Sequence, residues 1–376
     1  MEQRHATRSR WLFLSIILIA LTANANESEA FCTNPSGDRG MCIYFLNCKP
    51  LPQALITDLA FLKNSQCNQN EGPGFVSTTY KQQCMKVIKS VTNILKIWQI
   101  CCPDKRHFLP KPPFCGVRTT SRLIGIQLTQ PYDYSWTALI EYEKQDASTG
   151  IYCGGTLINQ GHILTAAHCV SSLPIGWKVN RVLLGEWDLS SVLDCAENFC
   201  NNPPIDLKIS KIIVHDGYDT ENGSSIHDIA LIRFEKLANF PDAFQPICLS
   251  QAESTKREIV TDGISTIVGW GKNQNSAGVV KKLKTDLMVT KDFPKCYSSM
   301  KHEEQIEPSY LCALRERSSR MICSADSGGG LTRLFHRYHY LIGVAGSGEH
   351  SCGTVEVPGV FINVAGYIDW IRENIK

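Results

Sequence analysis

The stretch Cys323-Ser324-Ala325-Asp326-Ser327-Gly328-Gly329-Gly330-Leu331 sets an acid and a hydroxyl side by side ahead of three glycines. A lone serine carries little information in a chain of 376 residues, so the reading rests on two further contexts upstream in fixed order. These are Thr165-Ala166-Ala167-His168-Cys169 and His227-Asp228-Ile229-Ala230-Leu231. Around all three, short apolar runs separated by turn residues cover 137–142, 156–158, 162–165, 208–214, 229–234, 265–268, 340–344 and 360–364. Runs this short, with no longer helical stretches between them, predict an all-β barrel or sandwich rather than βαβ units. Tyr367, Trp370, Ile371 and Ile375 then follow i, i+3, i+4, i+8 and predict one amphipathic C-terminal helix.

Composition sets the address. Arg4, Arg8 and Arg10 precede the apolar run Trp11 to Leu21 and then Ala23-Asn24-Ala25, the three regions of a secretory signal cleaved after Ala25. The run is too short to span a bilayer, and no other segment is long and apolar enough. Removing residues 1–25 takes the formal charge from +2 to zero, which leaves no electrostatic case for nucleic acid or an anionic membrane as partner. Seventeen cysteines in a chain addressed to an oxidising compartment read as disulfides, and the odd count leaves at least one unpaired within the chain. Zinc is disfavoured because CxxC and HExxH are absent, so no metal or cofactor is expected. Seven cysteines lie within 32–102 and ten are spread from 115 to 352, which predicts a small stapled module ahead of a large domain. Within the module, Leu51, Leu55, Leu59 and Leu62, and later Val87, Val91, Ile94, Leu95 and Trp98, recur at helical spacing. Pro103 to Pro113 reads as a proline-stiffened connector. Asn222-Gly223-Ser224 is a usable glycosylation sequon, whereas Pro35 excludes Asn34.

The three contexts, together with Ser135-Trp136-Thr137-Ala138-Leu139, Cys153-Gly154-Gly155-Thr156-Leu157-Ile158, Val268-Gly269-Trp270-Gly271 and Pro358-Gly359-Val360-Phe361, resemble the chymotrypsin-like serine proteases from Leu123 to Lys376. The resemblance implies a double six-stranded β-barrel with a C-terminal helix. It also implies roles: Ser327 attacks the scissile carbonyl, His168 takes and returns its proton, and Asp228 holds the imidazole tautomer. The oxyanion hole is implied at the backbone N–H groups of Ala325 and Ser327. Ala325 stands where the family has glycine, and a Cβ in a peptide needing φ > 0 costs about 1–2 kcal/mol. Loss of one oxyanion donor costs about 2.7–4 kcal/mol. The S1 pocket is implied at Met321, Gly348 and Gly359. With Met321 where trypsin-like members carry Asp, an entering cation is desolvated without a partner, so P1 is expected not to be Arg or Lys. The substrate edge, Ser-Trp-Gly in the family, is Gly346-Ser347-Gly348 here, which removes a hydroxyl that supports the catalytic aspartate. These changes keep two readings open: a slow enzyme, or an inactive homologue that acts by binding.

Counting back from Trp136, the resemblance puts the mature N-terminus at Leu123-Ile124-Gly125-Ile126, after cleavage at Arg122, with the freed amine pairing with Asp326. Upstream, Cys32, Cys42, Cys48, Cys67 and the adjacent Cys101-Cys102 resemble the clip domain of arthropod serine proteases. That implies domains of 32–102 (clip), 103–122 (linker with activation site) and 123–376 (protease). It also implies bridges Cys32 to Cys101, Cys42 to Cys67 and Cys48 to Cys102, leaving Cys84 surplus. In the protease part the implied bridges are Cys153 to Cys169, Cys195 to Cys200, Cys296 to Cys312, Cys323 to Cys352, and a tether from Cys115 to Cys248. Glu186 and Asp188 open a loop that binds calcium in some relatives; an ordinary acidic surface loop is the other reading. The implied setting is an extracellular haemolymph cascade leading to melanisation or Toll-type signalling. Its partners would be a protein substrate, an upstream trypsin-like activating protease and a serpin inhibitor.

Overall fold

The structure is a computed structural model, and it describes residues 31–33, 39–44, 99–103, 106–117, 128–131, 133–196, 199–200, 203–219, 226–235, 237, 241, 243–259, 263–270, 281–290, 310–315, 327–346 and 359–375. Outside these lie the expected signal segment, both helical stripes of the module, Asn222, Arg122, Leu123, Met321, Ala325, Asp326 and Gly348, and with them Cys48, Cys67, Cys84, Cys296, Cys323 and Cys352. The chain divides into two compact units, Met1–Asp104 and Lys105–Lys376. Among the described residues, no helix is long and apolar enough to cross a membrane.

In the first unit, β1 (Phe31–Thr33), β2 (Arg39–Tyr44) and β3 (Gln99–Pro103) form an antiparallel sheet in that order. Its register sets Cys42 opposite Cys101 and Met41 opposite Cys102. Their side chains, and so the implied bridges of this module, fall outside the description.

The second unit begins with β4 (Thr137–Glu143), β5 (Thr149–Asn159), β6 (His162–Thr165) and β7 (Lys178–Leu184), then a small hairpin of β8 (Cys195–Ala196) and β9 (Phe199–Cys200). It continues with β10 (Ile205–Leu207), β11 (Ile209–Val214), β12 (Ala230–Phe234), β13 (Cys248–Leu249), α1 (Glu253–Ile259) and β14 (Gly263–Gly269). Last come β15 (Leu283–Thr290), β16 (Tyr310–Arg315), β17 (Gly330–Phe335), β18 (Tyr338–Ala345), β19 (Gly359–Asn363), a 3₁₀ turn Val364–Tyr367 and α2 (Ile368–Asn374). One sheet runs β10-β7-β4-β5-β6-β12-β11 and the other β13-β18-β17-β14-β15-β16-β19. In the second, β18 also pairs with β19, which closes six strands into a barrel and leaves β13 as a parallel edge. The first likewise has six main strands plus the short edge β10, so the double barrel gains one strand on each side. Closure removes the free edge that an open sheet would expose.

Local sequence explains the joints. Asn159 ends β5 with its Oδ1 accepting the Gly161 N–H at 2.9 Å, a side-chain turn that reverses the chain into β6. His336 and Arg337 join β17 to β18 in a two-residue loop with both φ values positive, the hairpin geometry that matches strand twist. The C-terminal helix forms where the period predicted it, with Asn363 Oδ1 capping Ala365 N at 3.2 Å. Tyr367, Ile368, Ile371 and Ile375 are buried in the same apolar cluster as Ile140, Leu157 and Leu231 of the first barrel. Each such side chain contributes about 1.5–3 kcal/mol by leaving water.

The proline-rich connector is fastened to the second unit over residues 106–117. Leu109 is buried, Asn159 Nδ2 donates to the carbonyls of Arg106 and Phe108, His107 Nδ1 meets Ile375 O at 2.8 Å, and Gln251 Nε2 donates to Leu109 O. Cys115 and Cys248 form a disulfide beside these contacts. Gly116, at φ +64°, hydrogen-bonds through its N–H to Pro246 O and through its carbonyl to His339 N, and a Cβ there would collide with the His339 backbone.

Candidate active site

Three strand ends converge on one seam. Thr165, the last residue of β6, pairs with Ala230, the first of β12, so the chain leaving β6 toward His168 runs beside the chain entering β12 from Asp228. Ser327 arrives from the other barrel, three residues before β17. Its carbonyl accepts the Gly154 N–H from β5 at 2.8 Å, while Gly328 N and Gly329 O bond Ala345 at 2.8 and 2.9 Å. Gly328 lies at φ +75°, and a Cβ there would meet Thr165 Oγ1 and Gly154 O. Thr165 Oγ1 donates to Gly154 O at 2.8 Å, so the space against which the serine turn rests is itself hydrogen-bonded in place.

Asp228 is fully buried. Its Oδ1 accepts the backbone N–H of His168 at 2.8 Å and its Oδ2 lies 2.7 Å from His168 Nδ1. The carboxylate therefore holds both the backbone and the ring of the same residue, and a ring donating Nδ1–H to Oδ2 presents its Nε2 lone pair as a base. His168 keeps 19% of its side-chain surface in contact with solvent, enough to face an incoming ligand. Its Nε2 stands 3.5 Å from Cys169 Sγ, and among the described residues no hydrogen bond joins it to Ser327 Oγ. Such transfer contacts are commonly long in unliganded sites and tighten around substrate.

A Cβ built on Gly346 would lie 3.6 Å from Asp228 Oδ2 with only Ile362 Cδ1 otherwise near, at 4.0 Å. The hydroxyl missing from the substrate edge is thus missing at the carboxylate itself. Gly359 opens β19 opposite Ala313, with Phe361 Cε2 3.0 Å from where its Cβ would stand. The rest of the implied S1 pocket, Met321 and Gly348, the oxyanion position Ala325 and the activation residues Arg122, Leu123 and Asp326 lie outside the described residues.

Disulfides join Cys115 to Cys248, Cys153 to Cys169 and Cys195 to Cys200. Cys312 is disulfide-bonded too, its partner falling outside the described residues. Cys153, His168 and Cys169 come within metal-ligating distance of one another, but the first and last are bridged at 2.02 Å and offer no thiolate.

The loop opened by Glu186 and Asp188, with calcium and an ordinary acidic surface loop as its two readings, continues to Asp194. Asp194 accepts the backbone N–H groups of Trp187 and Asp188 and the Ser191 hydroxyl, and Asp188 is engaged by Ser190 and Lys281. Burial, then Asp194, raises the Glu186 carboxyl's affinity for its proton. Lys282, also buried, faces Asp133, Asp194 and Glu186, and burial holds its ammonium down to about 8. These carboxylates thus face an internal ammonium, and no step is assigned to a metal.

Sequence reasoning missed Lys282, Thr165 as a support, and His215 with His227. Thr165 and His227 stand inside the motifs that located the triad; Lys282 and His215 carried no signal beyond residue type.

A buried aspartate that fixes a histidine's tautomer at the seam of two barrels, with a serine turn delivered from the opposite barrel, defines the double-barrel serine-protease class. Comparison with known proteins agrees: residues 123–371 match the Trypsin family and residues 32–76 match the regulatory CLIP domain of proteinases. The chain belongs to the trypsin family and carries a CLIP domain. It is 39% identical over 373 residues to CLIP domain-containing serine protease B4 of Anopheles gambiae, covering 96% of each chain. It is 30% identical to Melanization protease 1 of Drosophila melanogaster, covering 94% of each. Among solved structures it resembles the Drosophila Grass clip serine protease of the Toll pathway, with TM-score 0.60 and 24% identity over 92% of this chain and 97% of that one.

Proposed function

We propose that the protein is a secreted serine endopeptidase made as a zymogen, activated by cleavage after Arg122, and working in an extracellular proteolytic cascade of the melanisation or Toll type. The observation that carries the reading is the hold of buried Asp228 on both the backbone and Nδ1 of His168, next to the turn that presents Ser327. In the reaction Ser327 Oγ attacks the scissile carbonyl while His168 Nε2 takes its proton. The imidazolium is stabilised by Asp228, the tetrahedral oxyanion is met by the N–H groups of Ala325 and Ser327, and His168 returns the proton to the leaving amine. The acyl-enzyme is then hydrolysed by water through the same proton relay. The Cys115–Cys248 bridge lies across the cut, so the CLIP unit stays tethered to the activated chain. Met321 argues for a P1 side chain other than Arg or Lys, and Ala325 in the oxyanion hole argues for a slow turnover.

A second reading, a protease homologue that acts as a cofactor by binding, is favoured by one observation: Gly346 leaves Asp228 without the side-chain hydroxyl that family members place there. Labelling with a fluorophosphonate probe before and after verified cleavage at Arg122 separates the two. Labelling of Ser327 that appears on cleavage and is lost in Ser327→Ala supports the endopeptidase. No labelling of fully cleaved protein refutes it and leaves the cofactor.

A further inference from the structure

We propose that His215 and His227, a stacked pair beside the His168–Asp228 contact, act as positioning residues that hold the backbone of Asp228 while His215 Nδ1 accepts the Gly217 N–H, and that uptake of a proton there releases it. The inference deepens the proteolytic reading and rests on it only through the His168–Asp228 pair.

The rings stack with centroids 4.5 Å apart and planes 14° from parallel. His227 is the residue immediately before Asp228 and sits at φ +58°, in the left-handed region. Its carbonyl accepts the Ile229 N–H at 2.6 Å, so Asp228 is the apex of a tight three-residue turn whose direction is set by the His227 peptide. That residue is clamped from both sides. Its Nδ1 meets Tyr367 OH at 2.9 Å, and the turn of His215 packs under the ring so closely that a Cβ on Gly217 would stand 2.6 Å from His227 Cδ2.

His215 is tied to the same turn by its backbone, with its N–H donating to Ile229 O at 3.2 Å. Its Nδ1 accepts the Gly217 N–H at 3.1 Å, which requires a neutral ring protonated on Nε2. A proton added at Nδ1 turns that acceptor into a donor aimed at a donor and places a charge against the face of His227. Among the described residues, Tyr367 and Trp370 of the C-terminal segment pack against His215, and Asp216 lies on the same turn. Asp216 favours the charged form of His215, but burial and His227 oppose it more strongly, so the ring's proton affinity is lowered. The turn reaches the triad a second time through Tyr218, which bonds back to His215 O and lies near enough to Asp228 for the carboxylate to raise its phenol's affinity for the proton, after burial. Acidification therefore acts on the peptide that aims Asp228, independently of protonation of His168 itself.

The test uses the full-length protein and its Arg122-cleaved form with two variants. His215→Asn keeps an oxygen able to accept the residue 217 N–H in a side-chain turn and cannot be protonated in this range, and His227→Asn tolerates positive φ and removes the facing ring. The first measurement is the low-field proton resonance of the His168 Nδ1–H shared with Asp228, followed from pH 8 to pH 5, with a melting curve to verify folding. We expect the resonance to vanish in the wild type as pH falls and to persist to lower pH in each folded variant. The second is the fluorophosphonate labelling rate of cleaved protein at pH 7.5 and pH 5.5. One additional cooperative proton makes the wild-type rate fall about tenfold more than either variant's for each pH unit it spans. Identical pH dependence of the resonance in wild type and folded variants overturns the proposal. So does its absence at pH 8 from folded variants, which would make the rings a support needed at every pH rather than one that a proton releases. Failure of cleaved wild type to label at any pH counts against the endopeptidase reading alone, since the resonance decides this one without turnover.

Discussion

Replacing Gly346 by serine tests whether a side-chain hydroxyl over Asp228 steadies the carboxylate and speeds the reaction at Ser327. The glycine has no need of its conformational freedom here, since its φ lies outside the left-handed range, and its Cβ position is open, 3.6 Å from Asp228 Oδ2 and 4.0 Å from Ile362 Cδ1. A hydroxyl one bond further out reaches the short O–H···O⁻ distance of a charge-assisted hydrogen bond. Asp228 is fully buried and already accepts from the N–H and Nδ1–H of His168, so a serine hydroxyl at residue 346 adds a further donor beside a desolvated carboxylate. A hydrogen bond to a charged group contributes about 1.5–3 kcal/mol, and replacing a glycine whose backbone conformation suits other residues adds about 0.4–1 kcal/mol through the unfolded state. For a domain of this size each kcal/mol raises the melting midpoint by about 2–4 °C, so Gly346→Ser is expected to melt roughly 4–16 °C higher. If about 1 kcal/mol of the added order is expressed in the transition state, fluorophosphonate labelling of the cleaved protein quickens about fivefold. A midpoint unchanged or lowered would refute the placement of Gly346 over the carboxylate. A raised midpoint with unchanged labelling would show that Asp228 is already held well enough, and would move the weakness to Ala325.

Gly328→Ala forces a Cβ into a left-handed residue and against Thr165 Oγ1 and Gly154 O; differential scanning calorimetry should show a loss of about 3 kcal/mol or more, and labelling of Ser327 should disappear. Lys282→Met keeps the length of the side chain but leaves Asp133, Glu186 and Asp194 facing no ammonium, a loss of about 3–5 kcal/mol read by urea unfolding. Because the folded-state value of Lys282 is about 8 against 10.5, the unfolded chain binds more protons between those values, so wild-type stability gains from this lysine as pH rises across the window; the variant loses that slope. His162, buried and accepting from Arg233 Nε at 3.0 Å, is held down to about 3, chiefly by burial. The unfolded chain therefore takes up the extra proton first, and acidification from pH 6.5 to pH 3 should remove stability on the order of 5 kcal/mol. His162→Gln, which can still accept from Arg233, should flatten that fall in melting experiments.

The features that were legible in the sequence share a cause: each needs a particular side chain in a particular local pattern. Apolar runs of strand length became β4, β6, β11, β12, β14, β18 and β19 with ends shifted by a residue or two, and the i, i+3, i+4, i+8 pattern of Tyr367 to Ile375 became the C-terminal turn and helix. His168 and Asp228 meet in the structure, and their neighbours are as constrained as they are: Thr165 supports Gly154, and Ala230 pairs with Thr165. What escaped depends on main-chain register and main-chain acceptors, which leave no mark on residue type. The connector is fastened through the carbonyls of Arg106, Phe108, Leu109 and Ile375, groups that every sequence possesses. Lys281 and Lys282 look alike in a row of letters, but the bridge between Asp188 and Lys281 fixes the alternation that turns the first toward Asp188 at the surface and the second into the acid cage. Gly346 is one glycine among 27, and only the pairing of Val344 and Ala345 with Ile362 and Phe361 brings it over Asp228. The same holds for His215: its imidazole counts as an ordinary surface group until the backbone bond to Ile229 O sets it under the residue that precedes Asp228.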